Sequence, residues 1–189
     1  MPRVKLLLLV SYYNRRFMPA PKVLLTAETI QARIRELAAE VDRDHPEGPV
    51  YMVCILKGAC IFLADLARAM KTPARFDFVG VSSYGVGSST SGQVKLTKDL
   101  DMSIEGRDVI VVEDILDSGV TLNYLLGVLR QRQPRSLKVA ALLDKPERRR
   151  VDVQAHYRGF EIPDKFVVGF GLDYAEDYRN LPDVCAIEE

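Results

Sequence analysis

Val109-Ile110-Val111-Val112-Glu113-Asp114-Ile115-Leu116-Asp117-Ser118-Gly119-Val120-Thr121 carries more information about this chain than any other stretch. Its first four residues are an apolar run that suits a buried strand. The run ends abruptly in two acids. A short loop of small residues, 117–121, follows and leads into an amphipathic run at 122–129. Strand, acids, small-residue loop and helix, in that order, set carboxylates beside a helix N-terminus. Backbone N–H groups at such an end can hold a phosphate. Gly119 lets the backbone come close, and the hydroxyls of Ser118 and Thr121 can donate to phosphate oxygens. Phosphate binding beside acids suits a phosphorylated sugar together with a metal ion. The stretch is not a nucleotide P-loop, because no Gly-Lys-Ser/Thr occurs in the chain. Gly85-Val86-Gly87 is not a dinucleotide loop either, since Thr90 stands where a third glycine is needed.

Working outward, Thr26 predicts a helix cap. The helix that follows carries Ile30, Ile34, Leu37, Ala38 and Val41 on one face, and His45-Pro46-Glu47-Gly48 breaks it. Strands are expected at 50–56, 75–81, 109–112 and 137–143, with a returning strand at 94–97. Helices are expected at 58–70 and 120–131. The tail predicts short strands at 153–157 and 166–170. Strands alternating with helices at this spacing indicate an α/β fold with a mainly parallel sheet. Residues 82–92 hold five Ser, one Thr and three Gly and predict a mobile loop. Residues 1–17 read as an extension. Their apolar core, 6–10, is shorter than a signal-peptide core, and no small-residue cleavage site follows.

The 189 residues suffice for a single domain with a full core. Lys+Arg and Asp+Glu both number 26, so the net charge is zero, and there is no global electrostatic case for nucleic-acid or membrane partners. Cys54, Cys60 and Cys185 are too few for a disulfide framework and lack zinc-ligand spacing. An odd count suits a reducing cytosol, and Cys54 and Cys60 read as buried thiols.

In parallel sheets, ligands sit beyond the carboxyl ends of the strands. Four expected strands carry polar residues to that edge: Lys57, Ser83-Tyr84, Glu113-Asp114 and Asp144-Lys145. Each has a plainer reading. Glu113-Asp114 could be a loop feature, and Asp117 a helix cap. Lys145 could be solvated surface, and Phe166 a core residue. Adjacent strand residues also face opposite ways, so Glu113 and Asp114 cannot be two equivalent ligands.

Residues 113–121 resemble the phosphoribosyl pyrophosphate (PRPP) motif of type I phosphoribosyltransferases. Further segments are similar to the hypoxanthine-guanine members. They are Ile55-Leu56-Lys57-Gly58-Ala59, Ser82-Ser83-Tyr84-Gly85, Lys98-Asp99-Leu100-Asp101 and Leu143-Asp144-Lys145-Pro146. Residues 162–170, Leu172-Asp173-Tyr174 and 178–182 complete the set. The similarity runs from about residue 22 to the C-terminus. It implies the type I fold: a mainly parallel twisted sheet flanked by helices, with a small hood from N- and C-terminal segments. The implied reaction joins hypoxanthine or guanine to PRPP, giving IMP or GMP and pyrophosphate, with Mg²⁺.

The resemblance also implies roles. Asp117, Ser118, Gly119, Val120 and Thr121 would cradle the 5′-phosphate, and Glu113 and Asp114 would face the ribose and metal. Asp117 would exchange a proton with purine N7. Lys57, Gly58 and Arg179 would hold pyrophosphate. Lys145, Phe166, Val167 and Asp173 would bind the purine, with Asp173 also on a second Mg²⁺. Ser83 and Tyr84 would close over the centre as a lid. The Leu56-Lys57 bond can be cis in this family, and homodimers or homotetramers are expected. Regulators built on the same fold would need a basic face or an added DNA-binding domain. Only Arg148-Arg149-Arg150 is densely basic, and such a run usually reads as a solvated face.

Overall fold

Apolar runs and amphipathic helices alternate along the chain as their periodicities dictate. The computed structural model describes residues 21–83 and 94–187. The extension expected at 1–17, most of the loop expected at 82–92, and Tyr84 with it, lie outside the described residues. Strand β1 (Lys22–Leu25) precedes α1 (Ala27–Asp44) and β2 (Val50–Leu56). Then come α2 (Cys60–Ala69), β3 (Ala74–Ser83), β4 (Val94–Lys98), β5 (Asp108–Leu116) and α3 (Val120–Arg130). Strands β6 (Ser136–Asp144), β7 (Tyr157–Glu161), β8 (Val167–Val168) and β9 (Val184–Ala186) complete the order, with a 3₁₀ turn at Pro146–Arg148.

Six strands form one sheet in the order β4-β3-β2-β5-β6-β7. All neighbours run parallel except β3 and β4. The first six residues of β2 are buried in succession, as expected of a central strand covered on both faces. The two faces are sorted by alternation. Met52, Cys54, Ile110 and Val112 pack under α1 and α2, while Tyr51, Val53, Val109 and Val111 pack under α3. Thr26 caps α1 by accepting from Thr29 N at 3.3 Å, and all five residues of its predicted apolar face are buried. In α3, Leu122, Leu125, Leu126 and Leu129 are buried, each worth about 1.5–3 kcal/mol of transfer free energy. A second, three-stranded sheet, β1-β9-β8, joins the two terminal segments and forms the expected hood.

Most element ends shift by one or two residues from the sequence reading, and three differences have a physical cause in view. Strand β5 does not stop at the acids but runs on to Leu116, because β6 still pairs with it there, from Glu113↔Ala141 to Leu116↔Asp144. Its other neighbour leaves earlier, since β2 pairs with β5 only as far as Cys54↔Val112. Strand order also reverses between these two strands, with β3 on one side and β6 on the other, so a crevice opens at a topological switch point. The strand expected at 153–157 lies instead at Tyr157–Glu161. Here the imidazole Nδ1 of His156 accepts from Val139 N at 3.1 Å, so a side chain takes the ladder donor before Tyr157 pairs with Ala140. The strand expected at 166–170 shrinks to two residues, because Gly169 (φ 93°) and Gly171 (φ 100°) turn the chain away.

Candidate active site

Beyond the carboxyl ends of β2, β5 and β6 lie Lys57, Asp117 and Lys145, each one residue past its strand. Gly119, not Asp117, is the N-cap of α3, and it adopts φ 77°, a left-handed conformation that favours glycine. Asp117 therefore does not cap the helix. The loop encloses a cavity of about 220 Å³ lined by Glu113, Leu116, Asp117, Ser118, Gly119 and Thr121. Val120 is the first residue of α3, so its N–H belongs to the helix end that faces this cavity.

The two acids part company, as strand alternation requires. Glu113 faces the loop cavity, and its Oε2 is buried without a hydrogen-bond partner among the described residues. Burial, and then the charge of Asp114, pushes its carboxyl well above the usual range. Asp114 turns toward the loop after β2. A Cβ on Gly58 would lie 1.6 Å from its Oδ2, so only glycine fits beside it. Burial pushes Asp114 up to about 6, against a lowering hydrogen bond from Ile115 N (2.8 Å) and the field of Arg179.

The Leu56–Lys57 peptide is cis, and a Cβ on Gly171 would meet Gly58 O at 2.1 Å, so the β2 loop and the tail pack backbone to backbone. Lys57 Nζ pairs with Glu176 at 2.9 Å. Arg179 donates to Gly171 O at 2.8 Å and pairs with Asp173 at 2.8 Å. Asp173 also accepts from Glu176 N at 2.9 Å.

Beyond β6, Lys145 is only 7% exposed, which removes the solvated-surface reading. Its Nζ donates to Lys165 O at 2.6 Å and lies 3.6 Å from Asp164. Its backbone N donates to Leu116 O at 2.9 Å, one residue before the loop 117–121. Phe166 is 50% exposed rather than in the core, and its ring meets Tyr174 edge to face at 5.5 Å. The Val167 side chain is buried, and its backbone pairs with Ala186. Ser83 ends β3.

The Phosphoribosyl transferase domain profile matches residues 22–175. The chain belongs to the phosphoribosyltransferase family. It is 50% identical over 167 residues to the hypoxanthine-guanine phosphoribosyltransferase of Bacillus subtilis (strain 168), covering 88% of this chain and 93% of that one. Identity to the enzyme of the same name from Mycobacterium tuberculosis (strain ATCC 25618 / H37Rv) is 51% over 172 residues, covering 88% and 85%. A crystal structure of a hypoxanthine-guanine phosphoribosyltransferase from Bacillus anthracis superposes with a TM-score of 0.85 at 45% identity, covering 91% and 100%.

In this phosphoribosyltransferase the run 148–150 is solvated at Arg148 and Arg150, as such a run usually is, but Arg149 is half-buried and the run also touches the loop. Arg148 Nε lies 2.7 Å from Asp117 Oδ1, off the line of a well-formed hydrogen bond, and its Nη1 reaches Asp164 at 3.1 Å. Arg149 donates to Asp117 O and to Asp144, and Arg150 N donates to Ser118 O at 3.0 Å. Three like charges in a row hid this. The signal was the preceding Pro146, which starts a 3₁₀ turn that folds the run back onto the loop. Cys54 is a buried free thiol pushed up to about 12, Cys185 is also buried, and Cys60 is half-buried. Among the described residues, no helix is long and apolar enough to cross a membrane.

Proposed function

We propose that this phosphoribosyltransferase transfers the 5-phosphoribosyl group of PRPP to N9 of hypoxanthine or guanine, giving IMP or GMP and pyrophosphate. The observation that carries the purine choice is Lys145, a nearly buried ammonium hydrogen-bonded through its own backbone to the end of β5. An ammonium donates and cannot accept. It suits the 6-oxo group of hypoxanthine or guanine. Adenine offers an amino donor there, and a buried donor left unpaired costs about 1–3 kcal/mol.

In this reading the N–H groups and hydroxyls of 118–121 hold the 5′-phosphate. Glu113, from the loop cavity, and Asp114, from beside Gly58, bracket the ribose, and negative charge there favours the cationic ribosyl centre as the bond to pyrophosphate loosens. Lys57, Gly58 and Arg179 hold the pyrophosphate. Phe166 covers the base, while the main chain at Val167 and Asp173 reads the 2-amino group. Asp117 exchanges a proton with N7 as N9 attacks. Ser83 and Tyr84 close over the centre and exclude water.

The donor set suits a divalent cation, Mg²⁺ in this reading. Glu113, Asp114 and Asp173 are hard oxygen donors, and Glu113 has a buried oxygen without a partner. No three such side chains converge as a ready-made cage among the described residues, so substrate oxygens would complete the shell. When bound, the cation neutralises charge on the departing pyrophosphate. Cytoplasmic residence and assembly as a homodimer or homotetramer belong to the same proposal; sedimentation of the pure protein tests the assembly. Pyrophosphate release with PRPP, Mg²⁺ and each base in turn tests the reaction. Hypoxanthine and guanine should be turned over, and adenine as the best substrate would sink it.

A further inference from the structure

We propose that Arg149 is a positioning residue that holds Asp117 in place through the main chain. The inference rests on the reading that Asp117 exchanges the N7 proton. No helix cap fixes Asp117, since Gly119 occupies the cap. The loop is instead gripped from behind by the chain that follows Lys145. Arg149 forks. One Nη donates to the carbonyl of Asp117 and the other to the carboxylate of Asp144, which is 5% exposed. Asp144 is the last residue of β6 and the neighbour of Lys145. The stem of Arg149 lies against Gly119, where a Cβ would stand 3.3 Å from its Cδ. One guanidinium thus ties the strand end that presents Lys145 to the residue that handles the proton.

A planar fork that spans two acceptors has no substitute in a single ammonium. Displacing a reacting group by about 1 Å can cost on the order of 10²-fold in rate. Arg149→Met should therefore lower kcat about 10- to 100-fold and change KM for PRPP by less than about 3-fold. Arg149→Lys, which reaches one acceptor, should recover part of the loss. The deciding measurement repeats Arg149→Met in the Asp117→Asn background. A residue that acts through Asp117 has little left to lose there, and less than about a 2-fold further drop is expected.

Equal losses in both backgrounds would mean support of the fold at large and would overturn the proposal. A rise in KM for PRPP with unchanged kcat would overturn it too, because it would make Arg149 a binding element of the phosphate loop. Thermal melts accompany each variant. If Arg149→Met does not fold, Asp144→Leu, which removes the acceptor of one tine at nearly the same size, is measured in the same two backgrounds against the same criteria. Asp117→Asn with a wild-type kcat would instead refute the role given to Asp117. That result is separate from any seen with Arg149.

Discussion

The two ends of β5 carry the same residue type in opposite electrical conditions. Asp108 opens the strand, where Arg135 and Ser136 donate to it, the latter at 2.7 Å, and these bonds pull its carboxyl down to about 2. Asp114, six residues on, is pushed up to about 6 by burial. Nearby, Glu113 keeps a buried oxygen without a partner among the described residues. The amino edge of the sheet is arranged for stability. The carboxyl edge keeps carboxyls buried and short of partners at a cost to stability, which suits the cation and polyanionic substrate proposed for it.

Asp117→Asn should have the largest effect, lowering kcat by about 10²- to 10⁴-fold with little change in KM for PRPP. Steady-state kinetics with both substrates varied will show it. Equal loss in both constants would move Asp117 from proton transfer to binding and weaken the contrast.

Asp114→Asn tests the carboxyl edge directly. A folded-state value raised from 3.8 to about 6 contributes stability fully present below pH 3.8 and lost as pH rises through 6. The substitution should therefore stabilise the ligand-free protein by roughly 2–3 kcal/mol at pH 7 and by almost nothing at pH 4. Urea melts at both pH values measure it. A gain that does not grow with pH would break the comparison.

Asp108→Asn should do the reverse. Its depressed carboxyl contributes stability present above pH 3.8 and lost as pH falls through about 2. Arg135 is exposed and solvent screens the pair, so the loss at pH 7 should be about 1–2 kcal/mol. The same melts, compared at pH 7 and pH 2.5, should show the cost shrinking with acid. Arg148→Gln should be smallest. Its pair with Asp117 is 45% and 42% exposed, so solvent screens it. The KM for the base should fall by no more than about 3-fold, because purine N7 then competes with one cation fewer. A rise would show that Arg148 orients Asp117 rather than occupying it.

Much of the frame was legible because burial is periodic. Residues 50–56 follow from their unbroken apolar run and the face of α1 from its 3.6-residue spacing, and the structure has both where these patterns predict. The continuation of β5 through Glu113 and Asp114 was not legible. It depends on which neighbour still pairs, and a lone sequence does not say that β2 departs at Cys54 while β6 stays to Asp144. His156 hid the start of β7 for a similar reason, since a side chain replaced a backbone partner. The motif residues were found by resemblance, whereas the hold of Arg149 and Arg150 on the loop needed the turn at Pro146 to be seen in space.

The overhang of β5 past β2 spans residues 113–116, about 13 Å at the rise of a strand. That length behaves as a keyed spacer. Two residues added here would carry the phosphate loop about 7 Å outward with every facing preserved. One residue added or lost would exchange the faces of Glu113 and Asp114, leaving the loop cavity and the Gly58 contact each with the wrong partner. The number of residues in this overhang is thus held as tightly as the two carboxyls it carries.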